Sequence, residues 1–375
     1  MFKANFGSVE IISKGLNWIT LPFIAYISTI ELYGELASYY SLVAILSMFY
    51  IFGQNRFILS SNDMELQENT SLSVYFSALM FIVSIFILLA IQNDPIIYLC
   101  SISALLLAIH SNYSIKLRAD NNLKSFFIYK LYYFIRLFLL VFLIYLYPNV
   151  YVFFIIDSLL LLFFILLTFR PIKVNNIAKI FSRIKRSFMV MCFSFSIVFI
   201  MAFDKIFLSK YENYADIGEY SLAFIFASSL TFVASYFAII HEREIYISKD
   251  FKEAEKNRKL FLKRTITSSV VMLPFLFFAY FSYCYILELK SNWIIFLTIY
   301  FSQCIYFYCL SQSYIVTYLN EYKILSTIAI ISISTNIILN IFLVDYLSIL
   351  GSAVSNLLTF IAMLLLFKWW RVSKC

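Results

Sequence analysis

A few charged side chains interrupt the long apolar stretches of this sequence, and they are its first candidates for chemistry. A charged group at the centre of a bilayer costs about 2.5 to 3.5 kcal/mol on insertion scales, so such residues are kept for structure or for function. With a rise of about 1.5 Å per residue, Lys14 and Lys130 lie about 7 to 8 Å inside their stretches, where a long side chain still reaches water. Arg136 lies about 15 Å inside its stretch and is the strongest candidate.

Three cations, Lys14, Arg56 and Lys130, fall at similar depth in three different stretches. Compact ammonium groups and a forked guanidinium both suit a multiply charged phosphate group. The simpler interpretation is that all three are anchors whose side chains extend to the membrane surface. The pattern therefore predicts either a phosphate-binding cluster or a set of interfacial anchors.

Two pairs of opposite charge also occur. Arg136 and Asp157 lie at matching depth in consecutive stretches, which predicts an ion pair. That pair is either a structural salt bridge that lets both groups insert or a charged cavity wall whose pairing changes as helices move. Asp204 and Lys205 lie about one turn from the end of another stretch. They either cap a helix at the interface or supply a carboxylate that titrates or binds an ion.

Ser332, Asn336 and Asn340 follow one another at a spacing of four residues, which places them on one face of a helix. Hydrogen bonding to a neighbouring helix explains such a stripe. A polar cavity lined for sugars explains it equally well, so both interpretations stand.

The composition requires a membrane. Of the 375 residues, 62% are hydrophobic and 13% are charged, and the mean hydropathy is +0.86. Soluble domains are about 45–50% apolar and about one quarter charged. Stretches of about twenty apolar residues match a helix that crosses about 30 Å of hydrocarbon, and they lack the alternation of barrel strands. An all-α bundle is therefore predicted. The six cysteines show no paired spacing and are interpreted as small apolar residues.

The stretches predict about twelve transmembrane helices. They lie near residues 9–30, 37–58, 71–91, 96–115, 125–146, 150–169, 187–208, 219–240, 265–286, 292–316, 324–344 and 350–368. Lys and Arg stay on the cytoplasmic side of short loops. The cytoplasmic segments, counted with the adjoining helix ends, hold 23 of the 29 basic residues, whereas the outer loops hold Lys210 and Lys290. Both termini are therefore expected in the cytoplasm, with no extramembrane catalytic domain and no role for nucleic acid.

A weak repeat divides the chain into halves. Gly34-Glu35 and Gly218-Glu219 each precede a short Leu-Ala-containing segment at equivalent points of the predicted helix order. Since both halves begin on the same side, the repeats are parallel and related by an axis along the membrane normal. We predict an N-terminal six-helix lobe at 1–169, a basic cytoplasmic linker at 170–186 and a C-terminal six-helix lobe at 187–375, around a central cavity.

Several short motifs, taken in order along the chain, resemble those of one family. They are Glu31-Leu-Tyr-Gly-Glu-Leu-Ala-Ser-Tyr-Tyr-Ser-Leu, Phe52-Gly-Gln-Asn-Arg-Phe-Ile, Phe203-Asp-Lys-Ile-Phe-Leu, Ile217-Gly-Glu-Tyr-Ser-Leu-Ala, Asn336-Ile-Ile-Leu-Asn-Ile and Gly351-Ser-Ala-Val-Ser-Asn. The family is the Wzx-type O-antigen flippases, which are lipid-linked oligosaccharide flippases among the polysaccharide biosynthesis exporters of the MATE-like multidrug/oligosaccharidyl-lipid/polysaccharide (MOP) superfamily. At 375 residues the chain is short for that family.

The resemblance implies a MATE-like fold and a function without bond chemistry. Such a flippase carries undecaprenyl-diphosphate-linked O-antigen repeat units from the cytoplasmic to the periplasmic leaflet of the bacterial inner membrane by alternating access, in lipopolysaccharide biosynthesis. No catalytic residue, metal or cofactor is expected, and an H+ or Na+ gradient would supply the energy. The expected partners are the lipid-linked oligosaccharide, membrane lipid, a polysaccharide polymerase and a chain-length regulator. Substrate-binding roles fall to Lys14, Arg56, Lys130 and Arg136, and cavity or coupling roles to Asp157, Asp204, Lys205, Asn336 and Asn340.

Other membrane functions remain as alternatives. An O-antigen polymerase would need a large outer loop with basic residues, and a membrane glycosyltransferase would need carboxylates in such a loop. Glu31 and Glu35 are expected in a turn of six residues only. A membrane acyltransferase would need an intramembrane histidine, for which His110 is the candidate. A multidrug or ion-coupled exporter of the same superfamily differs by its substrate alone, and a cationic cavity favours an anionic lipid over a cationic drug.

Overall fold

The computed structural model describes residues 6–59, 63–91, 94–168 and 178–372, and in this part the chain is a bundle of helices. The helices are α1 (Phe6–Ile27), α2 (Ile30–Ile51), α3 (Gln54–Leu59), α4 (Asp63–Ile91), α5 (Pro95–Ala119), α6 (Leu123–Leu146), α7 (Val150–Thr168), α8 (Ala178–Leu208), α9 (Tyr214–Ser228), α10 (Leu230–Tyr246), α11 (Phe251–Ile286), α12 (Trp293–Tyr318), α13 (Tyr322–Leu347) and α14 (Ile349–Val372).

The described helices confirm the predicted multi-pass membrane class. Eleven stretches are long and apolar enough to cross a membrane, and α9 and α10 together form one of them. α1 is not among the eleven. It carries Glu10, Lys14 and Asn17, which lower its hydropathy.

A polar cap sets the start of α2. The hydroxyl oxygen of Thr29 accepts a hydrogen bond from the backbone N–H of Leu32 at 3.2 Å, and so satisfies one of the free donors of the first turn. α2 consequently begins at Ile30, well before the predicted start at residue 37. Glu31 and Glu35 lie within this helix, and the six-residue outer turn predicted for them is wrong.

α2 ends at a break in the helix that was not predicted from the sequence. Phe52 and Gly53 have φ angles of 51° and 69°, a region that glycine adopts without steric strain. A Cβ atom on Gly53 would also lie 2.7 Å from the carbonyl oxygen of Ser187. The helix predicted at 37–58 is therefore two helices, and the short α3 carries Arg56 in a new direction.

The second half contains a similar break and a long extension. The helix predicted at 219–240 is divided into α9 and α10, which meet at Ser229. The basic run before the helix predicted at 265–286 is itself helical from Phe251, so that α11 has 36 residues. Asp250 caps its start.

The helices pack in two groups. In the first group α5 contacts α2, α4 and α7, and α6 contacts α1 and α7. In the second group α12 contacts α9, α11 and α14, and α13 contacts α8 and α14. The groups meet where α2 packs on α8 and α9 and where α1 packs on α10.

The lobe boundaries at 169 and 187 stay a prediction. Residues 170–177 of the predicted linker lie outside the described residues. The rest of it, from Ala178, forms the first turns of α8.

α2 and α9 cross with their backbones in contact. A Cβ atom on Gly34 would overlap the carbonyl oxygen of Tyr214, and one on Gly218 would lie 2.5 Å from the carbonyl oxygen of Ile30. Tyr214 and Ile30 each lie one helical turn before the glycine of their own helix, so the contact is reciprocal. The Gly-Glu repeat therefore marks the crossing point of the two groups, at an approach that only small residues allow.

We expect Gly34→Ala and Gly218→Ala each to lower the thermal stability of the detergent-solubilised protein. The added methyl group forces the two backbones apart, and overpacking of this kind costs about 1–3 kcal/mol. Size-exclusion chromatography after heating, with fluorescence detection, measures the change in Tm. Gly15→Ala is the matched control, because nothing lies within 4 Å of its added Cβ. Equal Tm values for all three variants would contradict the close crossing.

Candidate functional site

A cavity of about 350 Å³ lies where α1, α2, α5 and α6 meet α10. Its charged lining consists of Glu10 and Lys14 on α1, Arg118 on α5 and Lys130 on α6, and Ser235 of α10 adds a hydroxyl group. We call this space the cationic cavity, since three cations face one carboxylate. Its volume is that of a small-ligand cleft.

Glu10 links the two lysines of the cationic cavity. Its Oε2 atom lies 2.9 Å from Nζ of Lys130, and its Oε1 atom lies 3.6 Å from Nζ of Lys14. Lys14 also donates a hydrogen bond to the hydroxyl of Ser235 at 2.5 Å, which joins α1 to α10. The Lys14 side chain keeps 37% of its surface exposed, whereas Lys130 keeps 9%. Lys14 is therefore the more accessible cation.

Arg118 is the third cation, and it also bridges the two groups of helices. Its guanidinium lies 3.5 Å from the carboxylate of Glu242 on α10. Arg118 lies beyond the helix predicted at 96–115, whereas α5 continues to Ala119 and carries it. Glu10 was missed too, although its position one turn before Lys14 was a readable signal.

Arg56 does not join the cationic cavity. Its guanidinium donates to the hydroxyl of Ser313 at 3.2 Å and to the hydroxyl of Thr317, both on α12. It lines a separate space of about 130 Å³. The prediction that Lys14, Arg56 and Lys130 lie together is therefore wrong for Arg56, because the reversal after α2 turns α3 toward α12.

The predicted pairing of Arg136 with Asp157 is confirmed. Nε of Arg136 lies 2.6 Å from Oδ1 of Asp157, and the hydroxyl of Tyr132 donates to the same oxygen at 2.5 Å. Arg136 also donates to the side-chain oxygen of Asn17 on α1. Both charged residues are buried and lie outside the described lining of the cationic cavity. A role in substrate binding for Arg136, and in coupling for Asp157, stays a prediction.

Asp204 is the centre of a second polar site, in the other group of helices. Its Oδ1 atom accepts hydrogen bonds from the backbone N–H of Lys205 at 2.8 Å and from Nζ of Lys205 at 3.3 Å. Its Oδ2 atom accepts from the hydroxyl of Tyr220 and from Nδ2 of Asn356 at 3.1 Å. Asp204 and Lys205 are both buried, so they are not caps at an exposed interface.

The amide stripe of α13 continues this site. Asn336 donates to the side-chain oxygen of Asn356 at 3.0 Å, and Asn340 donates to that of Asn336 at 3.2 Å. Ser352 donates to the side-chain oxygen of Asn340 at 2.8 Å. One buried network therefore contains all four residues predicted for this half, Asp204, Lys205, Asn336 and Asn340. It joins α8, α9, α13 and α14. We call it the Asp204 network.

Two members of the Asp204 network were not predicted as site residues. Tyr220 and Asn356 both lie within motifs that carry the family resemblance. Neither side chain is ionised, so a prediction based on charged residues does not include them.

His110 lines the cationic cavity but is built into the core. It is 1% exposed, and its ring stacks on Tyr129 with a centroid separation of 4.2 Å. Tyr132 and Tyr133 pack against the same ring. Stacking of this kind is typical of a histidine packed in a core.

Comparison with known proteins identifies the fold. No family model and no curated protein matches the sequence. Among solved structures the chain is similar to an inward-facing multidrug resistance MATE family transporter of the MOP superfamily, with a TM-score of 0.58 and 13% identity over 100% of this chain and 96% of that chain. It is also similar to a MOP superfamily transporter from Pyrococcus furiosus, with a TM-score of 0.64 and 11% identity over 98% and 94%.

A third similar structure is a mutant of a MATE transporter from Vibrio cholerae, with a TM-score of 0.61 and 12% identity over 97% of this chain and 94% of that chain. At this identity the likeness establishes the fold. The chain therefore has the architecture of MATE transporters of the MOP superfamily, as predicted.

We expect Arg136→Ala and Asp157→Ala each to lower Tm strongly, since removing one partner of a buried pair leaves an uncompensated charge and costs about 3–5 kcal/mol. The exchanged double variant, Arg136→Asp with Asp157→Arg, should recover part of that loss. Thermal unfolding of the purified proteins measures both effects.

Asp120→Ala is the control for that series, because it breaks a more exposed pair with Lys116, and exposed pairs contribute about 0–1 kcal/mol. An exchanged variant no more stable than either single variant would show that the pair does not act as a unit.

Proposed function

We propose that this protein is a flippase that carries an undecaprenyl-diphosphate-linked oligosaccharide across the bacterial inner membrane by alternating access. The observation that supports this most directly is the cationic cavity at the meeting of the two groups of helices. A transporter of this kind forms no bond. It needs a site between two moving parts that binds its substrate with different affinity in two conformations.

The charge of the cavity favours an anion. Lys14, Arg118 and Lys130 outnumber Glu10, the one carboxylate in the described lining. Ammonium and guanidinium groups form short, charge-assisted hydrogen bonds to phosphate oxygens. A lipid diphosphate fits this lining better than a cationic drug, which three cations would repel.

The likeness to multidrug transporters does not by itself select a cationic substrate. For the transporter from Pyrococcus furiosus, the reverse polarity of the binding pocket suggests a different function. In the present chain, the cationic lining supports a lipid-linked sugar over a cationic drug.

The Asp204 network is the proposed coupling site. A buried carboxylate with several hydrogen-bond donors is suited to hold or exchange an ion or a proton inside a membrane protein. We propose that an H+ or Na+ gradient acts through Asp204, and that Asn356 of α14, which donates to Asp204, passes its state to Asn336 and Asn340 on α13. No cofactor is required.

The proposed partners follow from the substrate. The lipid-linked oligosaccharide arrives in the inner leaflet, and a polysaccharide polymerase with a chain-length regulator uses the units that reach the outer leaflet. The predicted inside position of both termini belongs to this proposal.

Deleting the gene in its native strain tests the function. We expect long surface polysaccharide to disappear and lipid-linked single repeat units to accumulate on the cytoplasmic leaflet, measured by gel analysis of the polysaccharide and by mass spectrometry of extracted lipid. The wild-type gene should restore export. Lys14→Ala with Lys130→Ala should fail to restore it at equal protein abundance.

Two other results would replace the proposal. Surface chains of a single repeat unit in the deletion strain would indicate a polymerase, because units still cross the membrane. Unchanged polysaccharide together with increased sensitivity to cationic drugs would indicate a multidrug exporter.

Asp204→Asn tests the coupling site. The amide keeps the shape of the side chain but removes its charge, so we expect gradient-driven transport to fall about tenfold or more, which corresponds to about 1.4 kcal/mol. Proteoliposomes with an imposed H+ or Na+ gradient, assayed for the lipid-linked sugar exposed on each face, give the measurement. Asp345→Asn, at an exposed position of α13, is the control. Full activity of Asp204→Asn would remove this residue from coupling.

A further inference from the structure

The cationic cavity already contains an anion. Glu10 lies between Lys14 and Lys130, with a different carboxylate oxygen directed at each ammonium group. A substrate phosphate would need these same two cations. The position that best fits a phosphate group is therefore occupied by a side chain of the protein itself.

Glu10 has a clear electrostatic role. Two ammonium groups brought together in a poorly solvated space repel each other, and the repulsion grows as the effective dielectric constant falls. Lys130 is largely buried and cannot rely on water. The other carboxylate near this cavity, Glu242, lies beside Arg118 and belongs to α10. Within the described lining, Glu10 is thus the group that lets both lysines remain charged.

We propose that Glu10 is a resident counter-anion that a phosphate group of the substrate displaces from between Lys14 and Lys130. This inference rests on the proposed function, since it takes the diphosphate to be the group that enters the cavity. A phosphate group, like a carboxylate, presents two oxygens that can each accept from a different ammonium. The exchange replaces one anion by another, and the two lysines keep a partner throughout.

The exchange explains how a strongly cationic cavity can still release its cargo. A site of unpaired cations would bind a diphosphate tightly. Equally tight binding in both conformations does not shift the conformational equilibrium and so does not drive transport. Glu10 competes for the same cations and lowers the affinity. It also selects its ligand, because a neutral sugar or a cationic drug cannot take the place of a carboxylate between two lysines.

Binding of inorganic pyrophosphate to the purified full-length protein in nanodiscs, measured by isothermal titration calorimetry, tests this proposal. Glu10→Gln removes the competing charge and keeps the size of the side chain. We expect it to bind pyrophosphate about tenfold more tightly than the wild type, with Lys130→Ala reducing that binding. Glu10→Asp keeps the charge on a shorter stem that cannot bridge both lysines as well, so an intermediate affinity is expected.

Glu255→Gln is the matched control. Glu255 also lies between two cations, Arg258 and Arg371, at 2.6 Å and 2.7 Å, but it lies outside the described lining of the cationic cavity. The Glu255→Gln protein should bind pyrophosphate with the same affinity as the wild type. An equal gain in Glu255→Gln would overturn the proposal, because it would show that any freed cation pair binds the probe.

The remaining outcomes separate this inference from the proposed function. If Glu10→Gln and Glu10→Asp both bind no more tightly than the wild type while Lys130→Ala still loses binding, the counter-anion role is wrong and the anion site stands. If Glu10→Gln binds tightly but the deletion strain displays chains of one repeat unit, the counter-anion stands and the flippase function is wrong. If neither the wild type nor Glu10→Gln binds pyrophosphate, the counter-anion role is overturned.

Discussion

A charge inside this bundle needs another group to compensate it, because apolar side chains and lipid tails cannot solvate it. The buried charges meet this requirement in different ways, and the differences separate their roles. Arg136 and Asp157 form a buried pair to which Tyr132 and Asn17 add hydrogen bonds, while Nη2 of Arg136 has no hydrogen-bond partner among the described residues. The two opposite charges of this pair compensate each other. The cationic cavity instead leaves an excess of positive charge beside empty space, which is the condition for taking up an anion.

The two polar sites differ in chemistry as well as in place. The cationic cavity holds full charges on long, flexible stems, and a neighbouring group of helices reaches it through Ser235 and Glu242. The Asp204 network is mostly amides and hydroxyls held at short range between four helices. A flexible charged site suits a large ligand that must enter and leave. A buried carboxylate held by one ammonium group, one amide and one hydroxyl suits a small ion or a proton.

Much of this arrangement follows from residue type and depth. Matching depth on consecutive helices was enough to predict that Arg136 meets Asp157, and a spacing of four residues was enough to predict the stripe of α13. Arg56 was misplaced for a different reason. The prediction placed it on one continuous helix, whereas the helix ends at Phe52 and Gly53, where the backbone has positive φ and α8 packs closely on Gly53. Glu10 was not predicted as a site residue, because its role depends on a contact with Lys130 of another helix.

The reciprocal crossing of α2 and α9 limits which positions of this chain can accept a larger residue. The atom nearest to an added Cβ is a backbone carbonyl oxygen at both Gly34 and Gly218, and a smaller side chain nearby does not move that oxygen. A larger residue at either position therefore forces the two backbones apart, while the apolar faces around them can exchange one large residue for another of similar volume. When close backbone contacts constrain only a few positions, most of the remaining sequence can differ while the fold is retained. The solved transporters with the same architecture share 11–13% identity with this chain.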